Sequence, residues 1–402
     1  MTLYEFFCRA FQKAAYLGAY IWPWDEPKLL RGPGCVNELP ALIKSLGLGR
    51  VLLVTDAGLM KLGLPAPLIS GLERAGVFCA VYDRTSANPS LTQIEEARKL
   101  YIEAKCEAVV AFGGGSPMDC AKMVRYLTAF PRMKPERAKG LQVLFLAKAP
   151  PLFAVPTTAG TGSEITIAAV VSDPDTHAKY SLLNPLLRPK YAALDPALTL
   201  GLPPAATAQT GMDALTHAVE AYISLGRTKK TDAWALEAVR LVFGNLETAY
   251  ADGADMAARE NMLFAAYRAG AAFTRAYVGY AHGIAHALGG LYELPHGLAC
   301  AVTLPVVLEA YGPPAHARLA GLYDAAGLPP GPVGNTEKAG AFIQAVRELN
   351  ARLGIPDGFG CILEADVPEI ARRCLKESNP LYPVPRIWRQ EECEGVVRGM
   401  RA

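Results

Sequence analysis

Several features that mark other classes of protein are missing from this sequence of 402 residues. Its 40 basic and 38 acidic side chains nearly cancel, and no block of like charge indicates an arm for nucleic acid or membranes. The nine cysteines are scattered and form no Cys-x-x-Cys pair, which argues against a zinc knuckle or a disulfide framework. The longest apolar run, residues 297–310, is too short to span a bilayer and predicts a buried helix. We therefore expect a cytoplasmic protein without nucleic acid or membrane partners.

Length and composition predict a globular protein of two domains. Apolar residues make up 51% of the chain, enough for a large core, and 402 residues exceed what one core usually holds. Short β-branched runs alternate with helical patterns up to residue 204, and long helical patterns rich in Ala and Leu follow. The sequence predicts an α/β domain with a parallel sheet over 1–204, and an all-helical domain over 205–402. Within the first domain, residues 1–28 are an extension containing an amphipathic helix. The predicted strands are 50–56, 78–83, 107–115, 152–158 and 167–173.

A glycine turn lies between a predicted strand and a predicted helix in AVVAFGGGSPMDCAK (108–122). Glycines remove the side chains where a pyrophosphate approaches the backbone, and the amino terminus of the helix offers free N–H groups to an anion. A structural alternative accounts for the same residues, with Ser116 as N-cap, Pro117 in the first helical position and Asp119 completing a capping box. This turn alone leaves both interpretations open.

Two other segments favour a nucleotide. PTTAGTGSE (156–164) supplies hydroxyls from Thr157, Thr158 and Thr161 for phosphate and ribose, although a Gly- and Thr-rich turn has the same composition. Asp56 ends the strand VLLVTD, where a carboxylate can bind ribose hydroxyls and repel a 2′-phosphate, which favours NAD over NADP. Asp56 precedes the glycine turn, whereas the acid of the common fingerprint follows it, and a turn residue is the alternative.

The chain has only six histidines, and three of them fall within AHGIAHALGGLYELPHG (281–297). His282 and His286 are four residues apart and share a helical face, while the third, His296, is predicted to lie in a loop. In GMDALTHAVE (211–220), Asp213 and His217 have the same spacing. A carboxylate with two or three imidazoles suits a divalent metal such as Fe²⁺ or Zn²⁺. A lone histidine on an apolar face is usually a core residue, but two such faces together favour a metal site.

These segments resemble the signatures of a known family. GMDALTHAVEAY and AHGIAHALGGLYELPHG are similar to the two metal-site signatures of the iron-containing (group III) alcohol dehydrogenases. GGGSPMDCAK and PTTAGTGSE resemble the cofactor motifs of that family, in the same order. The resemblance extends from about residue 29 to residue 386. The amino-terminal extension and the segment NPLYPVPRIWRQ depart from the pattern, which leaves the substrate open.

The resemblance implies a Rossmann-like domain that binds NAD, an all-helical metal-binding domain of the dehydroquinate synthase-like kind, and an active site in the cleft between them. It implies Asp213, His217, His282 and His296 as metal ligands, with His286 off the metal as a proton relay. It also implies a homodimer or a larger homo-oligomer. The positions that the family uses for the cofactor are occupied by Asp56, Asn88, Gly114, Gly115, Ser116, Asp119, Thr157, Thr161 and Lys179.

The predicted function is reversible hydride transfer between NAD(H) and a primary alcohol/aldehyde pair, with Fe²⁺, or alternatively Zn²⁺, as the metal. The principal alternative is an NAD- and metal-dependent cyclase like dehydroquinate synthase, although the basic residues that bind a phosphorylated polyol are not evident near the histidines. A metal hydrolase would have no need for the glycine and threonine segments. A non-catalytic binding protein would need neither these segments nor the histidines.

Overall fold

The computed structural model describes residues 2–21, 25–142, 147–172 and 179–402, without the side chains of 16–21 and 179–180. Contacts divide the chain into two compact units, one of residues 25–201 and one in which the amino-terminal helix joins residues 202–402. In the described part of the chain, no helix combines the length and the apolar character that a membrane span requires.

The amino-terminal helix, α1 (Leu3–Ile21), belongs to the helical unit, whereas the sequence analysis placed it in the first domain. Arg9 donates to the carbonyl of Val384 at 2.8 Å, and Gln12 donates to the carbonyl of Tyr382 at 2.8 Å. Cys8, which precedes Arg9 in the sequence, is fully buried. The extension therefore packs through contacts between residues that are more than 300 positions apart in sequence. A local sequence pattern does not reveal such contacts.

The α/β unit is built on a six-stranded parallel sheet with the order β1-β9-β6-β4-β2-β3. A second sheet has the order β5-β8-β7, in which β7 and β8 are antiparallel. The predicted strands are all present, but β7 lies outside the parallel sheet. The strands are β1 (Lys28–Arg31), β2 (Arg50–Val54), β3 (Phe78–Tyr82), β4 (Ala108–Gly113), β5 (Gly140–Leu141), β6 (Leu152–Pro156), β7 (Ala168–Ser172), β8 (Lys179–Leu183) and β9 (Tyr191–Leu194).

Because the strands are parallel, the predicted cofactor motifs that follow β2, β4 and β6 lie at the same side of the sheet, at the carboxyl ends of its strands. Strand β4 is buried along its whole length because helices cover both faces of such a sheet, and this explains its continuous apolar run. After β2 the chain adds β3 on one side and β4 on the other, so the order reverses between β2 and β4. Ligands of open α/β sheets bind beyond the carboxyl ends of the strands at such a reversal.

The helices of the α/β unit are α2 (Leu39–Ser45), α3 (Ala57–Lys61), α4 (Ala66–Arg74), α5 (Leu91–Glu103) and α6 (Gly115–Ala129). Helix α6 begins at Gly115 with Gly114 as N-cap, and no side chain caps it. The interpretation of Ser116 as N-cap is therefore wrong, because the helix already includes that residue. An uncapped amino terminus leaves its first N–H groups available to an anion.

The helical unit surrounds α7, whose residues from Thr207 to Ile223 are mostly buried. Helix α11 starts at His296, so this histidine lies in the first turn of a helix and not in a loop as predicted. The helices after α6 are α7 (Pro204–Ile223), α8 (Lys229–Ala251), α9 (Met256–Ala276), α10 (Tyr280–Tyr292), α11 (His296–Tyr311), α12 (Pro313–Ala325), α13 (Asn335–Arg352), α14 (Val367–Ser378) and α15 (Gln390–Arg398). Short 3₁₀ turns cover Cys35–Glu38, Pro135–Arg137, Pro185–Leu187, Pro196–Thr199 and Glu364–Asp366.

Candidate functional site

Three helices of the helical unit bring the predicted metal ligands near Asp213. Among the described residues, Asp213, His282 and His296 belong to one group whose potential ligand atoms lie within 4.8 Å of one another, whereas His217 is not part of that group. Helix α7 supplies Asp213 and His217, α10 supplies His282, and α11 supplies His296. From Asp213 Oδ1 the distances are 3.4 Å to His296 Nε2, 3.7 Å to His282 Nε2 and 3.9 Å to His217 Nδ1. Ligands at about 2.0–2.1 Å from a tetrahedral metal lie roughly 3.3–3.4 Å from one another, so these separations are close to those of a coordination shell.

The cluster contains buried polar atoms that lack partners among the described residues. Asp213 Oδ1, His217 Nδ1 and His282 Nε2 are inaccessible to water and make no hydrogen bond. Leaving one such atom unpaired costs about 1–3 kcal/mol, so three facing one another are unusual in a folded core. A divalent cation is the partner that suits a carboxylate oxygen and imidazole nitrogens together. The residues present therefore fit a metal ion.

The pKa values of two of these groups suit metal ligands. Burial, the largest influence, lowers the pKa of His217 to about 3, so its imidazole is neutral and can donate a lone pair. Burial opposes ionisation of Asp213, but His217 and His296 outweigh it and hold the pKa of that carboxyl well below its usual value. The cluster therefore presents an anionic oxygen and a neutral ring nitrogen at neutral pH.

A buried carboxylate that the sequence analysis missed orients one of the predicted ligands. Glu220 Oε2 lies 2.6 Å from His282 Nδ1, which leaves Nε2 directed toward Asp213. The backbone N–H groups of Gly279 and Ala281 both donate to Glu220 at 2.8 Å. A Cβ at position 279 would lie 2.7 Å from Glu220 Oε1, so the close approach requires glycine. Carboxylates commonly fix the ring of a metal-binding histidine in this way.

His286, the predicted proton relay, lies beside the cluster. Its ring centroid is 5.1 Å from that of His296, and its side chain is 38% exposed. His286 Nδ1 lies 2.6 Å from Glu377 Oε1, which also accepts a hydrogen bond of 2.8 Å from the hydroxyl of Tyr382. An imidazole that is held by a carboxylate and partly open to solvent can pass protons between the site and water.

Glu220, Glu377 and Cys300 are the site residues that the sequence analysis missed. Glu220 follows His217 by three residues on α7, so the repeated spacing along one helical face was the available signal. Cys300 follows His296 by four residues, and the same rule applies to it. Nothing in the sequence around Glu377 indicated its contact with His286, because the two residues are 91 positions apart.

At the carboxyl ends of β4 and β6 in the α/β unit, the glycine turn packs closely against the threonine segment. A Cβ on Gly115 would lie 3.1 Å from Thr161 Cγ2, and one on Gly114 would lie 3.3 Å from Thr158 Cγ2. Thr157 donates its N–H to the carbonyl of Gly113 at 3.1 Å and thereby joins the ends of β6 and β4. The arrangement combines free backbone N–H groups at the start of α6 with nearby threonine hydroxyls, which are features of a phosphate cradle. These residues therefore fit the pyrophosphate of a dinucleotide.

The other predicted cofactor residues differ in what they contact. Asn88, in the left-handed region at φ 54°, donates its N–H to Ser116 Oγ at 3.2 Å. Asp56 Oδ1 caps α3 by accepting from the N–H of Leu59 at 2.9 Å, so its structural role is evident. The side chain of Lys179 lies outside the described residues.

Both carboxylate oxygens of Asp119 accept hydrogen bonds from residues 163–170. Its Oδ1 accepts from the hydroxyl of Ser163 at 3.3 Å, and its Oδ2 accepts from the N–H of Val170 at 3.1 Å. Burial, partly offset by Lys122, raises the pKa of Asp119 to about 6. These contacts give Asp119 a packing role that the capping alternative did not foresee.

Comparison with known proteins agrees with this architecture. Residues 26–196 match the iron-containing alcohol dehydrogenase family, and residues 207–398 match the C-terminal part of the Fe-containing alcohol dehydrogenase family. A 1,3-propanediol dehydrogenase of Citrobacter freundii is 37% identical over 371 residues, which cover 91% of this chain and 95% of that protein. An NAD-dependent methanol dehydrogenase of Bacillus methanolicus is 34% identical over 88% of this chain and 94% of its own length. The crystal structure of a 1,3-propanediol oxidoreductase superposes with a TM-score of 0.89 at 35% identity, covering 94% of this chain and 99% of that one.

Proposed function

Because the chain belongs to the iron-containing alcohol dehydrogenase family and is a metal-dependent alcohol dehydrogenase, we propose that it interconverts short primary alcohols and aldehydes with NAD(H). The observation that carries the proposal is the presence of three unpaired buried atoms, Asp213 Oδ1 with His217 Nδ1 and His282 Nε2 at 3.9 and 3.7 Å from it. The dehydrogenase relatives favour this function over the cyclase.

In this proposal Asp213, His217, His282 and His296 hold a divalent metal, Fe²⁺ or alternatively Zn²⁺. When bound, the metal supplies a Lewis acid that lowers the pKa of an alcohol hydroxyl. Glu220 keeps His282 in one orientation, since its carboxylate accepts a hydrogen bond from the Nδ1–H group. His286, held by Glu377 and 38% exposed, exchanges the alcohol proton with solvent.

The glycine turn and the threonine segment hold the dinucleotide in this proposal, and NAD⁺, when bound, accepts the hydride. The free N–H groups at the start of α6 bind the pyrophosphate, with Thr158 and Thr161 beside them. Asp56 binds ribose hydroxyls through the carboxylate oxygen that does not cap α3. The homodimer or larger homo-oligomer and the cytoplasmic location stay predictions.

The function is tested on protein freed of metal and then loaded under anaerobic conditions with Fe²⁺ or, in parallel, Zn²⁺. We expect NAD⁺ to be reduced with short primary alcohols and diols, as followed by NADH absorbance, and only after a metal is added. His217→Ala is expected to lose metal content and turnover together, because a ligand is gone. The matched control is His316→Ala, which removes a histidine that contacts Thr336 outside the cluster and should keep both. Full activity in the His217→Ala protein would contradict the ligand assignment, and no metal-dependent NADH formation with any alcohol would contradict the function.

The preference for NAD over NADP is tested with Asp56→Ser, because serine keeps an oxygen that can cap α3 while the negative charge is removed. We expect the ratio of kcat/KM for NAD⁺ to that for NADP⁺ to fall by at least roughly tenfold, since a 2′-phosphate no longer meets a carboxylate. Steady-state kinetics with both cofactors measures the ratio. An unchanged ratio in a normally folded variant would remove Asp56 from the cofactor site.

A further inference from the structure

A buried cysteine lies among the predicted metal ligands. Cys300 is fully buried on α11, one turn after His296, and its Sγ lies 3.6 Å from His296 Nε2. Among the described residues, Cys300 forms a group with Asp213, His282 and His296 in which the potential ligand atoms all lie within 4.8 Å of one another. The thiol therefore has the position of a ligand, although no motif pointed to it.

Packing alone is the ordinary explanation for a buried cysteine, since a free thiol behaves as a small apolar side chain. Cys300 does pack in an apolar cluster with Ala285, Ala299 and Leu294. Its surroundings differ from an apolar pocket, however, because Asp213 Oδ1 and His282 Nε2 belong to the same compact group and have no partner. Asp213 is 3% exposed and His282 is 2% exposed, so water does not satisfy either atom. The unpaired atoms are an independent indication of a cation-binding position beside the thiol.

We propose that Cys300 Sγ is an additional ligand of the metal, so that this chain offers a mixed nitrogen, oxygen and sulfur donor set that discriminates in favour of Zn²⁺ over harder ions. The inference rests on the proposed metal site and adds to it a donor and a metal preference. On binding, the thiol proton leaves to solvent as the sulfur–metal bond forms, and no electron is transferred. Thiolate sulfur is a soft donor that favours zinc, whereas carboxylate and imidazole alone accept Fe²⁺ and Mn²⁺ as well.

The first measurement uses the unaltered protein. Zinc-loaded protein is examined by X-ray absorption at the zinc edge, where a sulfur ligand appears as a scatterer at about 2.3 Å and nitrogen or oxygen ligands at about 2.0–2.2 Å. We expect one sulfur scatterer in the first shell. A shell of nitrogen and oxygen alone would overturn the inference and leave the proposed function intact, and failure to bind any metal would overturn both.

The second measurement compares Cys300→Ser with Cys393→Ala, which removes another fully buried helical cysteine, on α15. Zinc and manganese affinities are measured by competition with a chelator, and Co²⁺-loaded proteins are examined for a sulfur-to-cobalt charge-transfer band. For Cys300→Ser we expect a loss of zinc affinity of at least roughly tenfold, a much smaller loss for Mn²⁺, and no charge-transfer band. The Cys393→Ala protein should keep both affinities and the band. Equal losses for the two metals, or a band that survives in Cys300→Ser, would overturn the inference.

Discussion

Each unit of this protein buries a cluster of polar side chains, and the two clusters differ in how far their atoms are paired. In the α/β unit, the fully buried Lys122 donates at 2.8 Å to each of three oxygens, those of Ser163, Thr166 and the carbonyl of Ala168. An ammonium group has three N–H donors, so all of them are used. This cluster is complete within the protein.

The cluster of the helical unit is incomplete within the protein. Asp213, His217 and His282 direct unpaired buried atoms toward one another, at distances longer than a hydrogen bond. Burying polar groups costs free energy in both clusters, but only the first cluster offsets that cost with its own hydrogen bonds. A satisfied buried cluster stabilises the fold, whereas an unsatisfied one is suited to a bound ion.

The largest effect on stability is expected from the satisfied cluster. Lys122→Met removes three hydrogen bonds and leaves the buried Asp119 without its neighbouring cation. Since each buried oxygen that loses its donor costs about 1–3 kcal/mol and three lose it here, we expect the free energy of unfolding to fall by about 3–5 kcal/mol. Urea denaturation measures it. Lys61→Met, at an exposed helix position, should change it by less than about 0.5 kcal/mol. Equal stability of the two variants would mean that the Lys122 cluster does not support the fold.

A smaller effect, on metal affinity, is expected from the unsatisfied cluster. Glu220→Gln keeps the shape of the side chain but weakens its hold on His282 Nδ1. We expect metal affinity to fall by roughly 10–100-fold, the usual cost of removing a carboxylate that orients a metal-binding histidine. Chelator competition measures the affinity, and Glu391→Gln, at an exposed position on α15, is the control. Unchanged affinity would show that packing alone orients His282.

The smallest effect comes from an exception within the α/β unit. Glu164 is 2% exposed, its Oε1 has no partner among the described residues, and burial raises its pKa to about 7. The folded state therefore binds the proton more tightly than the unfolded state, so stability falls as the pH rises from about 4.5 to 7. We expect Glu164→Gln to exceed the unaltered protein in stability by on the order of 1 kcal/mol at pH 8 and by much less at pH 5. Urea denaturation at the two pH values tests this, and a pH-independent difference would contradict it.

Much of the fold could be predicted because its signals are local. Strand β4 and helix α7 can each be recognised from the hydrophobic pattern of a short stretch of sequence. The sequence predictions were wrong where contacts between residues far apart in sequence determine the structure. The turn before helix α6 packs against Thr158 and Thr161, about 45 residues later, and α1 joins the helical unit through the segment around Val384.

The residues of the candidate metal site were likewise predictable only where their signal is local. Spacing along single helices indicated Asp213 with His217 and His282 with His286, since residues four apart share a face. It could not indicate that Glu220 reaches His282, 62 residues away, or that Glu377 reaches His286. Which of these residues bind the metal stays a prediction until the variants are measured.

By itself, the sequence determined the two kinds of unit, the elements that carry the motifs and the types of donor available. These properties follow from residue chemistry and from periods of two or 3.6 residues, which operate over short stretches of chain. Only the tertiary structure decided which donors meet, which of them lack partners and where Cys300 lies relative to Asp213. The physical reason is that packing of α7, α10 and α11 sets the distances between side chains that are far apart in sequence.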